Sequence, residues 1–133
     1  MKNVIKITTC ICILAYVLNS CTKEDDVNPT DDTTSFSGTW NVSENSKEFG
    51  SSTYKANINY TTASTVSINN LYSLTKGTSA SVSGRNLTIQ PQTIDGFSIS
   101  GSAILENANR ISFKYYVVQS SKKIDTVTST FTR

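Results

Sequence analysis

Apolar and polar residues alternate along most of the chain, from Phe36 to the C-terminus. In the first such stretch Phe36, Gly38, Trp40 and Val42 share one face, and polar residues occupy the positions between them. A period of two, with aromatic and β-branched residues on one side, is typical of a strand with one buried face. The pattern therefore predicts an all-β domain. The predicted strands are residues 36–43, 53–60, 64–71, 78–83, 86–91, 96–105, 110–118 and 123–132.

The segments between these strands are short and rich in turn-forming residues. Gly84-Arg85 suits a two-residue type II′ hairpin, and Asp95-Gly96 suits a turn that requires positive φ. Pro91 cannot donate to a sheet ladder, so we expect it to end a strand or to lie at a sheet edge. Connections this short join antiparallel neighbours, because a parallel crossover needs a dozen or more residues.

Eight consecutive antiparallel strands can fold in two ways. They can close into an up-and-down barrel, which leaves no exposed strand edge, or they can form a β-sandwich. The strand number and the one-sided alternation favour the barrel, and the sandwich is the alternative. A barrel of eight strands encloses its own side chains or one small ligand. Residues 36–133 are therefore predicted to form a single all-β domain.

The first twenty residues follow a different pattern. Lys2 and Lys6 precede a short apolar stretch at residues 11–18. This stretch is shorter than the roughly 20 residues that a membrane-spanning helix needs. A cationic start, a short apolar stretch and small polar residues after it are typical of a secretory signal peptide. Residues 1–20 are therefore predicted to be removed from the mature protein.

Leu18-Asn19-Ser20-Cys21 resembles the lipobox of bacterial lipoproteins. The resemblance implies cleavage before Cys21 and a lipid on its thiol, so that the protein is anchored in a membrane. Two or three acyl chains anchor a protein firmly, because each buried methylene contributes about 0.8 kcal/mol. The alternative is an ordinary secreted protein with one unpaired cysteine, which an oxidising compartment disfavours.

Charge is distributed unevenly behind this cysteine. The segment 22–35 has one lysine and five acids, whereas residues 36–133 have nine basic residues and five acids, which gives formal balances of −4 and +4. Residues 21–35 show no apolar periodicity, so they are predicted to form a disordered acidic tether.

The beginning of the tether carries a second motif. Cys21 is followed by Lys23, Glu24, Asp25 and Asp26, and this run resembles the export signal of surface lipoproteins in Bacteroidota. The resemblance implies a lipoprotein of the outer membrane that is displayed on the cell surface. The alternative is a solvated linker that leaves the domain facing the periplasm.

Gly38-Thr39-Trp40 resembles the Gly-x-Trp motif in the first strand of lipocalins and calycins. The resemblance implies a lipocalin-like barrel in which Trp40 closes one end and a late basic residue, Arg133, stacks on its ring. Such a cation–π contact contributes about 0.5–2 kcal/mol. Residues 81–104 also resemble a hairpin pattern of small lipocalin-like surface lipoproteins of Bacteroidota, which implies a shape and a location but no chemistry.

Composition argues against catalysis. The chain has no histidine, which excludes serine–histidine and cysteine–histidine pairs and histidine metal sites. Glu44 and Glu48 lie in a polar stretch that we interpret as a solvent loop rather than as the carboxylate pair of a glycosidase. The basic residues of the domain are too sparse for a nucleic-acid surface. We therefore expect no catalytic residue, metal, cofactor or nucleic-acid partner.

Tyr60, Tyr72 and Tyr116 are the candidate binding residues. Tyr115 and Tyr116 are neighbours, so on a strand one of the two points away from the core. Aromatic side chains at a barrel mouth can stack on a small apolar ligand or a glycan. The sequence thus predicts a non-enzymatic, lipid-anchored binding module of the cell envelope. The alternative is a filled barrel that serves as a protein-interaction module of a surface assembly or as an inhibitor.

Overall fold

The computed structural model describes residues 35–133. The predicted signal peptide at 1–20, the lipidation site Cys21 and the export run from Lys23 to Asp26 lie outside the described residues. Within the described range, no helix has the length and the apolar character needed to cross a bilayer.

Eight antiparallel strands form one closed barrel in which each strand pairs with the next and the eighth pairs with the first. The predicted all-β up-and-down barrel is confirmed, and because the sheet closes on itself the structure is not a sandwich. A single turn of 3₁₀ helix, Leu71–Ser73, lies between the third and fourth strands. The strands are β1 (Gly38–Ser46), β2 (Gly50–Thr62), β3 (Thr65–Asn69), β4 (Thr78–Ser83), β5 (Asn86–Ile94), β6 (Phe97–Asn107), β7 (Arg110–Val118) and β8 (Ile124–Thr132).

The first strand runs further than the hydrophobic pattern predicts. Glu44 and Ser46 occupy inward positions of β1 in phase with Trp40 and Val42. Because both residues are polar, the apolar pattern stops at Val42 although the pairing of β1 with β2 continues. The interpretation of Glu44 as a loop residue is therefore wrong, since its side chain lies inside the barrel.

Pro91 lies within β5, and the expectation that it ends a strand or lies at an edge is wrong. The register between β5 and β6 shifts between Ile89 and Gln92. Such an irregularity leaves a residue unpaired, so it accommodates a residue that has no backbone N–H to donate. A closed barrel also offers no edge at which the proline could lie.

The two hairpin turns have the backbone angles that their sequences suggest. Gly84 has a φ of 58°, and Arg85 is not among the residues with positive φ, which is the combination of a type II′ turn. Asp95 and Gly96 both have positive φ, at 50° and 83°, as a type I′ turn requires.

The barrel interior is packed with inward side chains from all eight strands. Gly101 lets β6 approach β7, because a Cβ at this position would lie 2.4 Å from Cβ of its cross-strand partner Tyr115. The largest fully buried side chains include Trp40, Tyr115, Phe36, Phe131, Ile58, Ile68, Leu87 and Ile111.

The two ends of the barrel differ in their connections. One end, here called the closed end, carries the start of the described chain, the C-terminus and three short turns. The other end, here called the mouth, carries the two longest connections, 70–77 and 119–123, together with two shorter ones. The closed-end turns are 63–64, 84–85 and 108–109, and the mouth connections are 47–49, 70–77, 95–96 and 119–123.

Arg133 covers the closed end. Its guanidinium carbon lies 4.1 Å from the centroid of the Trp40 ring, which is the contact that the sequence predicts. The same guanidinium donates hydrogen bonds to the carbonyls of Ser37, at 2.6 Å, and Ala108, at 2.8 Å. Gly38 has a φ of 127°, and a Cβ there would lie 3.0 Å from Nη1 of Arg133. Glycine at this position therefore makes room for the arginine.

Candidate functional site

A cavity of about 320 Å³ opens at the mouth, beyond the packed apolar core. Its volume is at the lower end of the range for small-molecule sites. Both aromatic rings and polar groups line its wall, which includes Glu44, Ser46, Phe49, Tyr72, Phe97 and Gln119.

Glu44 supplies a carboxylate at this cavity although its residue is only 6% exposed. Its Oε2 accepts hydrogen bonds from the hydroxyls of Tyr54, at 2.5 Å, and Tyr115. Residues 35–133 provide no donor to the second oxygen, Oε1. Glu44 therefore retains an open acceptor beside the cavity.

Asp125 is a second inward carboxylate at the mouth, on β8, and is 1% exposed. Its Oδ2 accepts hydrogen bonds from the hydroxyls of Ser46, at 2.5 Å, and Tyr72, at 2.8 Å. Its Oδ1 accepts the backbone N–H of Glu48 at 3.2 Å. Asp125 thus ties β8 to the β1–β2 and β3–β4 connections that form the rim.

The tyrosine hydroxyls around these carboxylates keep their protons. Burial raises the pKa of Tyr115 above its ordinary value, and the charges of Tyr54 and Glu44 raise it further. Burial and the hydrogen bond to Glu44 raise the pKa of Tyr54. Burial and the hydrogen bond to Asp125 raise the pKa of Tyr72, to which the charge of Glu44 also contributes. All three phenols therefore act as donors at neutral pH.

Positive side chains at the mouth do not reach the two inner carboxylates. Across residues 35–133, neither Glu44 nor Asp125 has a lysine or arginine nitrogen within 4.0 Å. Two rim lysines form ion pairs with outer acids instead: Lys76 with Asp95 at 3.8 Å, and Lys123 with Glu48. The floor of the cavity is therefore negative and the rim is mixed in charge.

Aromatic rings surround Tyr72 on several sides. The ring centroids of Phe49, Phe97 and Tyr115 lie 6.3–6.4 Å from that of Tyr72, at interplanar angles between 63° and 87°. These are edge-to-face contacts, in which the edge of one ring packs against the face of another, and Tyr72 is the ring common to all three. Phe49 is 70% exposed and forms the outer part of this cluster.

Within the part of the chain that the structure describes, no group of three or more metal-ligating side chains lies together. The chemistry of the cavity is that of hydrogen-bond acceptors, phenol donors and aromatic faces. This arrangement can recognise a ligand by charge and shape.

The structure separates the three tyrosines that the sequence nominates. Tyr72 lines the cavity. Tyr60 lies at the closed-end half of β2, and Tyr116 lies on the outer face of β7, with exposures of 41% and 39%. Tyr115 is the buried member of the adjacent pair, so one of the two neighbours does point outward, as predicted.

Sequence reasoning missed most of the mouth. Five residues that the sequence did not nominate for binding meet there: Glu44, Tyr54, Phe97, Tyr115 and Asp125. One signal in the sequence could have found them: in the alternation of each strand, these residues fall on the same side as the buried apolar residues. A polar residue on an inward position of a barrel strand indicates either an internal hydrogen-bond network or a site.

No protein-family model matches the chain, and no curated protein matches it significantly. Several solved structures do match in fold, and three illustrate the likeness. A redesigned β-barrel has a TM-score of 0.54 and 15% identity, with 73% of this chain and 90% of that chain covered. The barrel EF1p2_mFAP2b, bound to DFHBI, has a TM-score of 0.57 and 15% identity over 73% and 92%. The redesigned barrel mFAP1, also bound to DFHBI, has a TM-score of 0.55 and 16% identity over 73% and 94%. At this level of identity the likeness establishes the fold: a small eight-stranded β-barrel.

Proposed function

We propose that this protein is a non-enzymatic, lipid-anchored binding module of the cell envelope that takes a small ligand at the barrel mouth. One observation carries the binding part of the proposal: a cavity of about 320 Å³ combines aromatic walls with buried polar groups. A concave site with apolar walls and a few convergent polar groups is the usual form of a small-molecule site.

The position of the cavity fits a lipid anchor on Cys21. The described chain starts at the closed end, where Nη2 of Arg133 donates a 3.1 Å hydrogen bond to the carbonyl of Ser35. A lipid on Cys21 would therefore attach the barrel through the end opposite the mouth. Attachment at this end does not require the tether to cross the mouth, where a dissolved ligand enters. Membrane attachment and ligand access are therefore compatible in one molecule.

The fold comparison supports the same proposal at a coarser level. Two of the similar barrels are described as bound to DFHBI, so small barrels of this architecture accommodate a small molecule. Their ligand is not carried over to this chain, because its identity to them is 15–16%.

The alternative of a protein-interaction module assumes a filled barrel. The barrel interior is indeed packed, and the exposed Phe49 and Ile124 at the rim would suit an apolar partner. The cavity above this packed core is what favours a small ligand. Binding in the cavity and docking on the rim differ in one respect, since only the first depends on free space beside Ser52.

Binding at the mouth is tested with a matched pair of blocking variants. Ser52→Trp places a large ring at the cavity wall, whereas Ser102→Trp places the same ring on the outward face of β6. A chemically diverse small-molecule library is screened by NMR against the full chain carrying Cys21→Ala. Hits should shift mouth resonances and lose binding with Ser52→Trp only. If every hit survives Ser52→Trp, the mouth is not the binding site.

Lipid anchoring is tested by labelling cells with radioactive palmitate. The wild-type protein should carry label and fractionate with membranes, and Cys21→Ala should be unlabelled and soluble. Cys12→Ala is the matched control, because it removes a thiol from the predicted signal peptide and should leave labelling unchanged. Membrane retention of the Cys21→Ala protein would contradict the anchor.

A further inference from the structure

We infer that the ligand of the mouth is a small alkylated ammonium ion, held between the carboxylate of Glu44 and the rings of Tyr72 and Phe97. This inference rests on the proposed function, since it names the ligand class for the same cavity. Three features of the mouth point to a cation: a carboxylate with an open acceptor, no lysine or arginine of residues 35–133 paired with that carboxylate, and aromatic rings in the cavity wall.

Residues 35–133 satisfy the carboxylate of Glu44 only in part. Two phenol hydroxyls occupy Oε2, and the described residues provide no donor to Oε1. A carboxylate on a residue that is only 6% exposed is stabilised by a further hydrogen-bond or ionic partner. Because Glu44 lines the cavity, a group inside the cavity can reach it and complete its coordination.

No lysine or arginine of residues 35–133 forms an ion pair with this carboxylate. Within residues 35–133 the three ion pairs join Lys76 to Asp95, Arg110 to Glu106 and Lys123 to Glu48, and none involves an inner carboxylate. Asp125 adds a second buried negative charge beside Tyr72, with which it shares a hydrogen bond. A cationic ligand therefore gains Coulomb attraction to both carboxylates, whereas an anion is repelled by both.

The walls of the cavity favour an alkylated cation over a bare metal or ammonium ion. Tyr72 and Phe97 meet edge to face with centroids 6.3 Å apart, and Phe49 extends the same cluster outward. Aromatic faces attract cations, and quaternary ammonium groups are the ligands that such cages recognise. An alkylated ammonium ion also has methyl groups that pack against the rings, and it loses less hydration on entry than a compact ion.

The decisive experiment compares a cation with its neutral isostere. Choline and 3,3-dimethylbutan-1-ol have nearly the same shape, but carbon replaces the charged nitrogen in the alcohol. Both are titrated into the full chain carrying Cys21→Ala by isothermal titration calorimetry, with binding located by NMR. We expect choline to bind at the mouth at least tenfold more tightly than the alcohol.

Matched variants assign the discrimination to the mouth. Glu44→Gln keeps the shape of the side chain and removes its charge, so it should weaken choline binding at least tenfold and leave the alcohol unchanged. Glu106→Gln makes the same change in an exposed side chain near the closed end. The affinity of this variant for choline should stay within twofold of the wild-type value. Phe97→Leu, which keeps an apolar side chain, should weaken choline binding at least threefold.

The remaining outcomes separate the cation inference from the proposed function. Equal binding of choline and the alcohol at the mouth would overturn the cation inference and leave the binding module in place. Binding of maltose at the mouth, with no binding of choline, would also overturn the cation inference. It would leave the binding module in place, with a glycan as its ligand. If neither choline, the alcohol nor the diverse library shifts mouth resonances, both proposals fail.

Discussion

The hydroxyl of Tyr72 donates a 2.8 Å hydrogen bond to Oδ2 of Asp125, and this bond joins the β3–β4 connection to β8 across the mouth. Tyr72 has a φ of 54°, and its neighbours Asn70 and Ser73 also have positive φ. A non-glycine residue in the left-handed region costs about 1–2 kcal/mol. The contacts of Tyr72 with Asp125 and with the hydroxyl of Tyr54 offset this cost. The shape of the mouth therefore depends on a buried carboxylate.

We predict that Asp125→Ala loosens the mouth and lowers the free energy of unfolding by about 1–3 kcal/mol. The variant leaves the hydroxyls of Ser46 and Tyr72 without their acceptor, and an unsatisfied buried polar group costs about this much. The backbone N–H of Glu48, which bonds to Oδ1 of Asp125, should exchange faster with deuterium. Urea denaturation and amide exchange measure the two effects.

The control for this prediction is Glu106→Ala. Glu106 forms an exposed ion pair with Arg110 near the closed end, and surface pairs contribute about 0–1 kcal/mol. This variant should leave exchange at the mouth unchanged. If the Glu48 amide of Asp125→Ala exchanges at the wild-type rate, Asp125 does not hold the rim in place.

We predict that the barrel loses stability at alkaline pH through its buried phenols. The pKa of Tyr115 is raised in the folded chain, first by burial and then by the charges of Tyr54 and Glu44. Below about pH 10, the ordinary pKa of tyrosine, both folded and unfolded chains hold the proton, so stability does not depend on this group. Above pH 10 the unfolded chain releases the proton first. The free energy of unfolding then falls by up to about 1.4 kcal/mol per pH unit for this tyrosine.

Urea denaturation between pH 8 and pH 11 measures this slope. Tyr115→Phe should be less sensitive to alkali than wild type by up to about 1.4 kcal/mol per pH unit. Tyr116→Phe is the matched control, because it removes the hydroxyl of the neighbouring outward tyrosine, and it should keep the wild-type slope. Identical slopes for Tyr115→Phe and wild type would contradict the role of burial at Tyr115.

The sequence was sufficient to predict the barrel but not the mouth. Apolar alternation alone was enough to predict the buried positions of Trp40, Ile58 and Ile99. A period of two is a local pattern, and it indicates which face of a strand is buried. The contact between Glu44 and Tyr115 joins residues 71 positions apart, and no local pattern encodes it. It follows from the register of β1 against β8 and of β8 against β7, which closure of the barrel sets.

The same distinction explains why the contact between Trp40 and Arg133 could be predicted. A resemblance to lipocalins named both residues, so their meeting did not have to follow from local pattern. For Asp125 no such resemblance was available, and a charged residue near a strand start is more often solvent-exposed than buried. Inward polar residues can be recognised only once the register is known.

We predict that Arg133→Gln lowers the free energy of unfolding by about 1–3 kcal/mol. The variant removes the cation above Trp40, worth about 0.5–2 kcal/mol, and hydrogen bonds from a charged donor to the carbonyls of Ser37 and Ala108. Urea denaturation followed by Trp40 fluorescence reports both the stability and the changed environment of the ring.

Arg110→Gln is the matched control for Arg133→Gln. Arg110 lies near the same end of the barrel, but it forms only an exposed ion pair at 2.8 Å with Glu106. Loss of this ion pair should lower the free energy of unfolding by less than about 1 kcal/mol. It should leave the fluorescence of Trp40 unchanged. Equal destabilisation by the two variants would show that the arginine above the tryptophan has no special role in closing the barrel.

Display on the cell surface is tested by changing the charges behind Cys21, the proposed lipidation site. We predict that replacing Glu24, Asp25 and Asp26 by their amides leaves the protein lipidated but retains it inside the outer membrane, because the proposed export run needs its acids. Protease added to whole cells should then degrade the wild-type protein and spare the variant, while both are degraded after lysis. Asp31→Asn with Asp32→Asn is the matched control, since it removes acids from the same tether outside the run. Degradation of the triple variant on whole cells would remove the export role and leave the acidic segment as a spacer between Cys21 and the barrel.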